Sequence, residues 1–225
     1  MVTREELEVM IRDHPILFHM AESQSWSSIR QHGLLSTTTL LDLYEYSGEQ
    51  RQVIEASRRP ESITIRHPVH GTAVIRDQKP MTDSNLRRAL HDGLTPEDWY
   101  RLLNSRVFFW LTEGRLHRLL KAGRYSGKSH DVLFVETRPL VQNYSHRITL
   151  SPMNSGNTRP YPHKRGRNTF LSIDNYPYSQ ERKKRPREPV VELAVEGGVP
   201  DIAEYVIEVS EMRDGRRLRT IWKRP

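Results

Sequence analysis

The sequence contains no cysteine in its 225 residues. Disulfide bonds, thiolate metal sites and a cysteine nucleophile are therefore excluded together, and a reducing compartment is favoured. No stretch approaches the roughly 18 consecutive apolar residues that a membrane-spanning helix needs. The segment from Met1 to Arg12 is acidic and helix-like, unlike a secretory signal. We therefore expect a cytoplasmic protein without a membrane partner.

Several motifs of common enzymes are also missing. The sequence has no HExxH pair, and His67-Pro-Val-His70 alone is poor evidence for zinc, so we predict no metal. It lacks the Gly-x-Ser-x-Gly turn of many serine hydrolases. Walker and Gly-x-Gly-x-x-Gly loops are absent too, so a bound dinucleotide would have to be held without a Rossmann unit.

Positive charge is concentrated in one part of the chain. The formal net charge is +7, and the pI is about 9.8. Between Asn157 and Arg187, nine Lys or Arg residues outnumber two acids, an excess equal to that of the whole chain. The nine are Arg159, Lys164, Arg165, Arg167, Arg182, Lys183, Lys184, Arg185 and Arg187. Such a strip attracts phosphate backbones by counterion release, although a solvated loop that aids solubility is an equal alternative.

Helical and strand periodicities are mixed along the chain without strict alternation, which predicts an α+β fold in one domain, residues 1–225. Helices are predicted over 3–11, with Thr3 as cap, over 25–31, with Gly33 as the stop, and over 36–44, 84–91 and 113–120. Another helix is predicted to start at Thr95-Pro96, and a helical turn at 140–144. Strands are predicted at 16–20, 63–65, 73–75, 107–111, 131–135, 189–195 and 202–209, with an edge strand at 218–222. Residues 151–187 are predicted to form a long basic loop, which in a compact domain is usually functional or disordered.

Three stretches near the N-terminus occur in a distinctive order. They are Leu17-Phe18-His19-Met20, Ser25-Trp26-Ser27-Ser28-Ile29 and His32-Gly33-Leu34-Leu35-Ser36. This order resembles the opening of DarT-type DNA ADP-ribosyltransferases. The chain also resembles an uncharacterised bacterial family over nearly its whole length, through Ala73-Val74-Ile75-Arg76-Asp77-Gln78 and Ser151-Pro152-Met153-Asn154-Ser155-Gly156. The first resemblance implies an ADP-ribosyltransferase-like fold of split antiparallel β-sheets flanked by helices.

The resemblance to DarT implies that NAD is bound near the first strand. His19 would bond a ribose hydroxyl, with Met20 and Ser36 beside it as cofactor contacts. A strand aromatic, Phe109 or Trp110, would stack on the nicotinamide ring. Strand alternation puts Phe108 and Trp110 on one face and Phe109 on the other, and leaves open which face meets NAD. A core histidine satisfied by backbone groups, and an aromatic run that only packs the core, are the alternatives.

Glu192 interrupts the apolar run from Val190 to Val195. An unpaired carboxylate in a buried strand is costly, so its presence there suggests function. The resemblance implies that Glu192 is catalytic: a carboxylate stabilises the oxocarbenium character that develops at the ribose and draws a proton from the acceptor. Alternatively, Glu192 points outward or pairs with a nearby arginine.

Arginine suits the cofactor phosphates because its planar fork matches them. The resemblance implies one arginine among Arg51, Arg58, Arg59, Arg66 and Arg76. We favour Arg59, as a catalytic residue, and Arg76, as a cofactor contact. The turn Asn154-Ser155-Gly156 would hold a phosphate or a nucleic-acid strand, and an ordinary turn is equally compatible.

These observations predict transfer of ADP-ribose from NAD to a nucleic acid. The nucleic-acid contacts are predicted at Asn154, Arg159, Lys164, Arg165, Arg167, Lys183, Lys184 and Arg185. Similarity to DarT also suggests a toxin or phage-defence role and an antitoxin or inhibitor protein as partner. Two alternatives stay open: a non-catalytic nucleic-acid-binding module, and an NAD-dependent transferase that removes an RNA 2′-phosphate and depends less on Glu192. The enzyme hypothesis requires Glu192, His19 and Trp110 to meet at one cleft.

Overall fold

The computed structural model describes residues 3–225, so Met1 and Val2, which open the predicted acidic segment, lie outside the described residues. The helices are α1 Arg4–Asp13, α2 Trp26–His32, α3 Thr37–Leu43, α4 Gly48–Ala56, α5 Asp83–Ala89, α6 Pro96–Asn104, α7 Glu113–Leu120, α8 Thr137–Tyr144 and α9 Tyr178–Lys184. The strands are β1 Ile16–Glu22, β2 Leu34–Leu35, β3 Ile63–His67, β4 Gly71–Ile75, β5 Arg106–Trp110, β6 His130–Glu136, β7 Ile148–Ser151, β8 Leu171–Ser172, β9 Glu192–Glu196, β10 Gly198–Val199, β11 Val206–Arg213 and β12 Arg216–Lys223. Within 3–225, no helix combines the length and apolar character needed to cross a membrane.

Local sequence signals account for where several helices begin and end. Thr3 and Glu6 form a capping box at the start of α1, each side chain accepting from the other's backbone N–H. Thr95 caps α6 in the same way. Helix α2 ends at Gly33, whose φ of 91° lies in the left-handed region and where a Cβ would collide with the backbone of Pro200. These boundaries confirm the corresponding sequence predictions.

The strands form an eight-stranded sheet in the order β12-β11-β6-β1-β5-β9-β7-β8, with two separate two-stranded pairs, β10-β2 and β3-β4. Neighbouring strands pair antiparallel, and β12 lies at one edge, so the α+β class and the edge strand at 218–222 are confirmed. Strand β1 pairs with β6 along its full length from Ile16 to Glu22. Strand β1 pairs with β5 at a single position within residues 3–225, where Phe18 lies opposite Trp110. The sheet is therefore nearly divided between β1 and β5.

The segment 151–187 is more structured than the predicted loop. It contains β8 and α9. The side chains of Phe170, Tyr176 and Tyr178 are buried, and the Tyr176 hydroxyl donates to the Pro189 carbonyl oxygen at 2.6 Å. The prediction of a continuous loop over 151–187 is therefore wrong. The Pro- and Asn-rich composition suggested a loop, although the three aromatic side chains pack into the core.

Two predicted strands begin later than expected. The predicted strand 202–209 begins at Val206, because Ile202–Glu204 form a 3₁₀ turn. Ile202 is fully buried in that turn, so its apolar character did not distinguish a turn from a strand. The predicted strand 189–195 begins at Glu192, which makes this carboxylate the first residue of β9.

Candidate functional site

A cavity of about 600 Å³ lies where β1 and β5 separate. Its wall includes His19 and Met20 of β1, Trp110 of β5, Arg76 just after β4, and Glu192 at the start of β9. This volume is within the usual range for small-molecule sites. The strands therefore bring to one cavity residues that are more than 170 positions apart in the sequence.

His19 is half-buried, and its Nδ1 lies 2.9 Å from the Phe108 carbonyl oxygen on β5. A carbonyl oxygen only accepts hydrogen bonds, so Nδ1 carries the proton and the neutral ring presents a lone pair at Nε2. Burial, assisted by the charge of Arg76, lowers the pKa of His19 to about 4 against the opposing effect of the Phe108 bond. A backbone carbonyl thus satisfies one of the two ring nitrogens of His19. The other, Nε2, makes no hydrogen bond within residues 3–225.

Glu192 is buried, with 4% of its surface exposed. It lies directly opposite Trp110 on β5, and opposed residues of antiparallel strands share a face of the sheet. Its Oε2 accepts from the Ser155 backbone N–H at 3.0 Å. Burial raises the pKa of Glu192 to about 7, and the Ser155 bonds and the charges of Arg115 and Arg165 limit that rise. The carboxyl group therefore exchanges its proton near neutral pH.

Two predicted cofactor contacts lie off the cavity wall. Phe109 is fully buried in the main core on the other face of β5, whereas Phe108 and Trp110 line the cavity, as strand alternation requires. Phe109 is absent from the cavity wall, although its ring centroid lies 5.8 Å from that of His19, so this position argues against the predicted stacking of Phe109 on a ligand in this cavity. Ser36 is buried as the N-cap of α3, where its hydroxyl accepts from the Thr39 N–H, and the adjacent Thr37 lines the cavity in its place.

Arg76 lines the cavity and contacts both β1 and Tyr125. Its Nη1 donates to the Met20 carbonyl oxygen at 2.7 Å, and its guanidinium carbon lies 4.9 Å from the centroid of the Tyr125 ring. Its Nε is 3.5 Å from Glu22 Oε1 without hydrogen-bond geometry. Its Nη2 is buried and makes no hydrogen bond within residues 3–225. Arg76 therefore retains a buried cationic donor that is not satisfied by the chain.

Arg59 is occupied by structural contacts. Its Nη1 donates to the Ile54 carbonyl at 2.6 Å, its Nη2 to Asn104 Oδ1 at 2.8 Å and its Nε to the Arg76 carbonyl at 3.1 Å. Burial lowers the pKa of Arg59 to about 10. These bonds tie the end of α4 to α6 and to the residue after β4, which argues against the catalytic role predicted for Arg59.

Arg165 is buried as well, with 1% of its surface exposed. Its Nη1 donates to the Ser155 carbonyl and its Nη2 to the Asn157 carbonyl, both at 2.8 Å. Its Nε donates to the His163 carbonyl at 3.1 Å. The guanidinium satisfies backbone acceptors inside the segment, which argues against the nucleic-acid contact predicted at Arg165.

The remaining predicted nucleic-acid contacts divide by exposure. Asn154 lines the cavity together with Ser155 and Gly156. Arg185 is half-buried, bonds Glu181 and donates to the Pro152 carbonyl, so it belongs to the framework. Lys184 is exposed and lies 3.3 Å from Glu181. Four exposed residues make no such side-chain contact with an acidic group within residues 3–225, and they are Arg159, Lys164, Arg167 and Lys183.

Sequence reasoning missed two side chains around the site and one exposed aromatic in the basic segment. Arg115 of α7 contributes positive charge near Glu192 while bonding Glu188, and Tyr125 lies beneath Arg76. Neither residue carries a local motif, because both reach the site only through the fold. Tyr161 is 77% exposed in the basic segment. Its position between two prolines in Arg-Pro-Tyr-Pro-His-Lys was a visible signal of an exposed aromatic.

Comparison with known proteins bears on the chain as a whole. No curated protein matches it. Residues 15–206 match the profile of a family of unknown function, DUF7002, and this match spans both His19 and Glu192. Because the match covers most of the sequence, the chain belongs to the DUF7002 family.

Proposed function

We propose that the protein is an NAD-dependent ADP-ribosyltransferase that modifies a nucleic acid. The observation that carries the proposal is the convergence of His19, Arg76, Trp110 and Glu192 on one cavity. The near-division of the antiparallel sheet between β1 and β5 supports the finer proposal of an ADP-ribosyltransferase-like fold. The resemblance of the first strand and the following helix to DarT is independent support.

The cavity chemistry suits NAD as a substrate. The unused Nη2 of Arg76 is a donor for a pyrophosphate oxygen. The lone pair at His19 Nε2 accepts from a ribose hydroxyl. Trp110 offers an aromatic face to the cationic nicotinamide ring. The pyrophosphate, one ribose and the nicotinamide ring of NAD thus each have a partner of matching chemistry on the wall.

The reaction assigns a specific task to Glu192. When the bond between ribose C1′ and the nicotinamide nitrogen breaks, its electron pair leaves with neutral nicotinamide and positive charge develops on the ribose. The ionised Glu192 carboxylate stabilises that charge. A nucleophilic nitrogen or oxygen of the acceptor then forms the new bond to C1′, and its proton passes to Glu192. A pKa near 7 suits a group that holds a proton only transiently.

Surface charge favours a nucleic acid as the acceptor. The segment that contributes Ser155 to the cavity continues into the exposed Arg159, Lys164 and Arg167. These cations attract phosphates without reading base sequence. The acceptor would therefore be bound by the same segment that supports Glu192. A cytoplasmic toxin or phage-defence role, with an inhibitor protein as partner, completes the proposal by similarity to DarT.

The test combines binding and turnover. Purified protein is titrated with NAD by calorimetry, and transfer of labelled ADP-ribose to DNA and RNA oligonucleotides is followed by gel. Glu192→Ala should retain NAD binding and lose transfer by about 1000-fold, the scale of removing a charge-stabilising group. The matched control is Glu204→Ala, an exposed carboxylate outside the cavity. Normal transfer by Glu192→Ala would overturn the assignment.

The exposed cations also favour a second candidate, a nucleic-acid-binding module without catalysis. It predicts salt-sensitive binding to polyanions and no heat or thermal shift with NAD. The third alternative, removal of an RNA 2′-phosphate with NAD, predicts activity that survives loss of Glu192. NAD calorimetry therefore separates the binding module from both enzymes, and activity of Glu192→Ala on an RNA oligonucleotide that carries a 2′-phosphate identifies the third alternative.

A further inference from the structure

Arg165 is enclosed by the segment to which it belongs. Besides its three side-chain bonds to carbonyl oxygens, its own backbone N–H donates to the Ala89 carbonyl at 2.9 Å, and its carbonyl accepts from the His91 N–H at 3.1 Å. Its guanidinium carbon lies 5.7 Å from the centroid of the Trp99 ring. Both the backbone and the side chain of Arg165 are thereby fixed between α5, α6 and the turn at 155–157.

Ser155 lies between this guanidinium and Glu192. Its carbonyl oxygen accepts from Arg165 Nη1 at 2.8 Å, and its backbone N–H donates to Glu192 Oε2 at 3.0 Å. Neither bond uses the Ser155 side chain, which makes a further hydrogen bond to Glu192. Because one residue makes both contacts through its backbone, the direction of its N–H depends on what holds its carbonyl.

We propose that Arg165 is a positioning residue for Glu192, clamping the turn from Ser155 to Asn157 so that the Ser155 N–H stays on the carboxylate. The consequence for catalysis rests on the proposed function, whereas the clamp itself does not. The bidentate reach of a guanidinium suits this task, because two of its nitrogens grip carbonyls two residues apart.

The charges around Glu192 make Arg165 distinctive. Arg115 of α7 also faces this carboxylate, but Glu188 binds Arg115 with an Nε–Oε1 distance of 2.7 Å and offsets its charge. Arg165 has no acidic contact within 4.0 Å among residues 3–225, and Arg76 and the neutral His19 lie elsewhere on the cavity wall. Loss of Arg165 would remove a buried positive charge and the anchor of an N–H donor together. Both losses disfavour the ionised carboxylate.

The test compares Arg165→Met and Arg165→Lys with Arg167→Met, which removes an exposed cation two residues away. The readouts are the carboxyl ¹³C shift of Glu192 as a function of pH and the ¹⁵N–¹H resonance of Ser155. In both Arg165 variants the Glu192 titration should move to higher pH and the Ser155 amide should lose protection from hydrogen exchange. Arg167→Met should leave both unchanged. Arg165→Lys separates the clamp from the charge, because lysine keeps the charge but not the fork.

A change of one pH unit in that titration would cut the ionised fraction at pH 7 about fivefold. The matching kinetic result is a fivefold lower kcat at pH 7, recovered at higher pH, with the affinity for NAD unchanged. Recovery at high pH distinguishes positioning from simple loss of folded protein. An unaltered Glu192 titration in Arg165→Met overturns the proposal, as does a wild-type Glu192 titration in Arg165→Lys.

A measurement on the unaltered protein covers the case in which both variants fail to fold. The Ser155 amide shift should follow the same titration midpoint as the Glu192 carboxyl carbon, and independent behaviour would overturn the clamp. These resonances need neither NAD nor turnover. A protein that fails to bind NAD but shows the coupled titration refutes the proposed function alone. A protein that transfers ADP-ribose but shows no coupling refutes the clamp alone.

Discussion

His19 donates its Nδ1 proton to the Phe108 carbonyl oxygen across the line where β1 and β5 part. The imidazole thus bonds a backbone group close to the last paired position of the two strands. This bond fixes the tautomer and leaves Nε2 as an acceptor at the cavity. The position of Phe108 on β5 therefore determines which nitrogen of His19 is available as an acceptor at the cavity wall.

Replacement of His19 by Ala should weaken NAD binding about tenfold, the effect of losing one hydrogen bond in a partly buried site. Calorimetry checks this value, with His163→Ala as a control because His163 is exposed. Since the pKa of His19 is about 4, binding should not vary with pH between 6 and 8 on its account. Equal affinity of the His19 variant and the wild type would contradict the role of Nε2 as a ribose acceptor.

Glu192→Gln should stabilise the folded protein at alkaline pH. The pKa of Glu192 rises from the usual 4.5 to about 7 on folding, so the carboxyl holds its proton more tightly in the folded state. Stability is then highest below pH 4.5 for this group and falls by about 3 kcal/mol as the pH rises through 7. The variant should melt about 5–10 °C above the wild type at pH 8.

At pH 5 the wild-type carboxyl group is mostly protonated, so the melting temperatures of Glu192→Gln and the wild type should nearly coincide. Scanning calorimetry at the two pH values measures the difference, and the exposed Glu204→Gln should match the wild type at both. A Gln variant that melts below the wild type at pH 8 would show that folding stabilises the ionised carboxylate, the opposite of the expected effect of burial.

Arg59→Met should destabilise the fold by about 3 kcal/mol, because it removes the shorter bonds to the Ile54 carbonyl and Asn104 Oδ1 and leaves them with bonds of 3.4 Å from Asn104 and Gln78. Urea unfolding measures the change, and the exposed Arg66→Met should differ from the wild type by less than about 0.5 kcal/mol. The folded fraction of Arg59→Met should transfer ADP-ribose at close to the normal rate. Full stability with lost transfer would restore Arg59 to the catalytic set.

Neutralising the four exposed cations of the basic segment should weaken nucleic-acid binding and its salt dependence together. For a single strand, the slope of log K against log salt should fall by about 3. Fluorescence anisotropy over a salt series measures it. The variant carries glutamine at Arg159, Lys164, Arg167 and Lys183. The control carries glutamine at four exposed cations towards the opposite edge of the sheet, Lys121, Lys128, Arg216 and Lys223. Equal slopes for the two variants would place binding elsewhere.

The sequence predicted elements well where the signal was local. The capping box at Thr3 and the glycine stop at Gly33 depend on a few neighbouring residues, and both are confirmed. The alternation of Phe108, Phe109 and Trp110 also predicted two faces correctly, although it could not tell which of them meets the cavity.

Counting basic residues could not distinguish the exposed side chains from the buried ones. Arg165 and Arg59 look like any other basic residues in the sequence, yet their guanidinium groups satisfy buried carbonyl oxygens. The partners of those bonds lie near the C-terminal ends of α4 and α6 and in the turn at 155–157, and composition does not reveal that these segments meet the two arginines. The same limit hid Arg115, because its proximity to Glu192 arises only when α7 packs beside the sheet.

The single paired position between Phe18 and Trp110 makes the cavity floor the least cross-linked part of the sheet. Four strands on each side keep their own ladders, so the spacing of the two halves can change while few hydrogen bonds break. A ligand that touches both His19 and Glu192 would connect the two halves of the sheet and restrict their relative movement. Its binding should slow hydrogen exchange in β1 and β5, well beyond the atoms that it contacts.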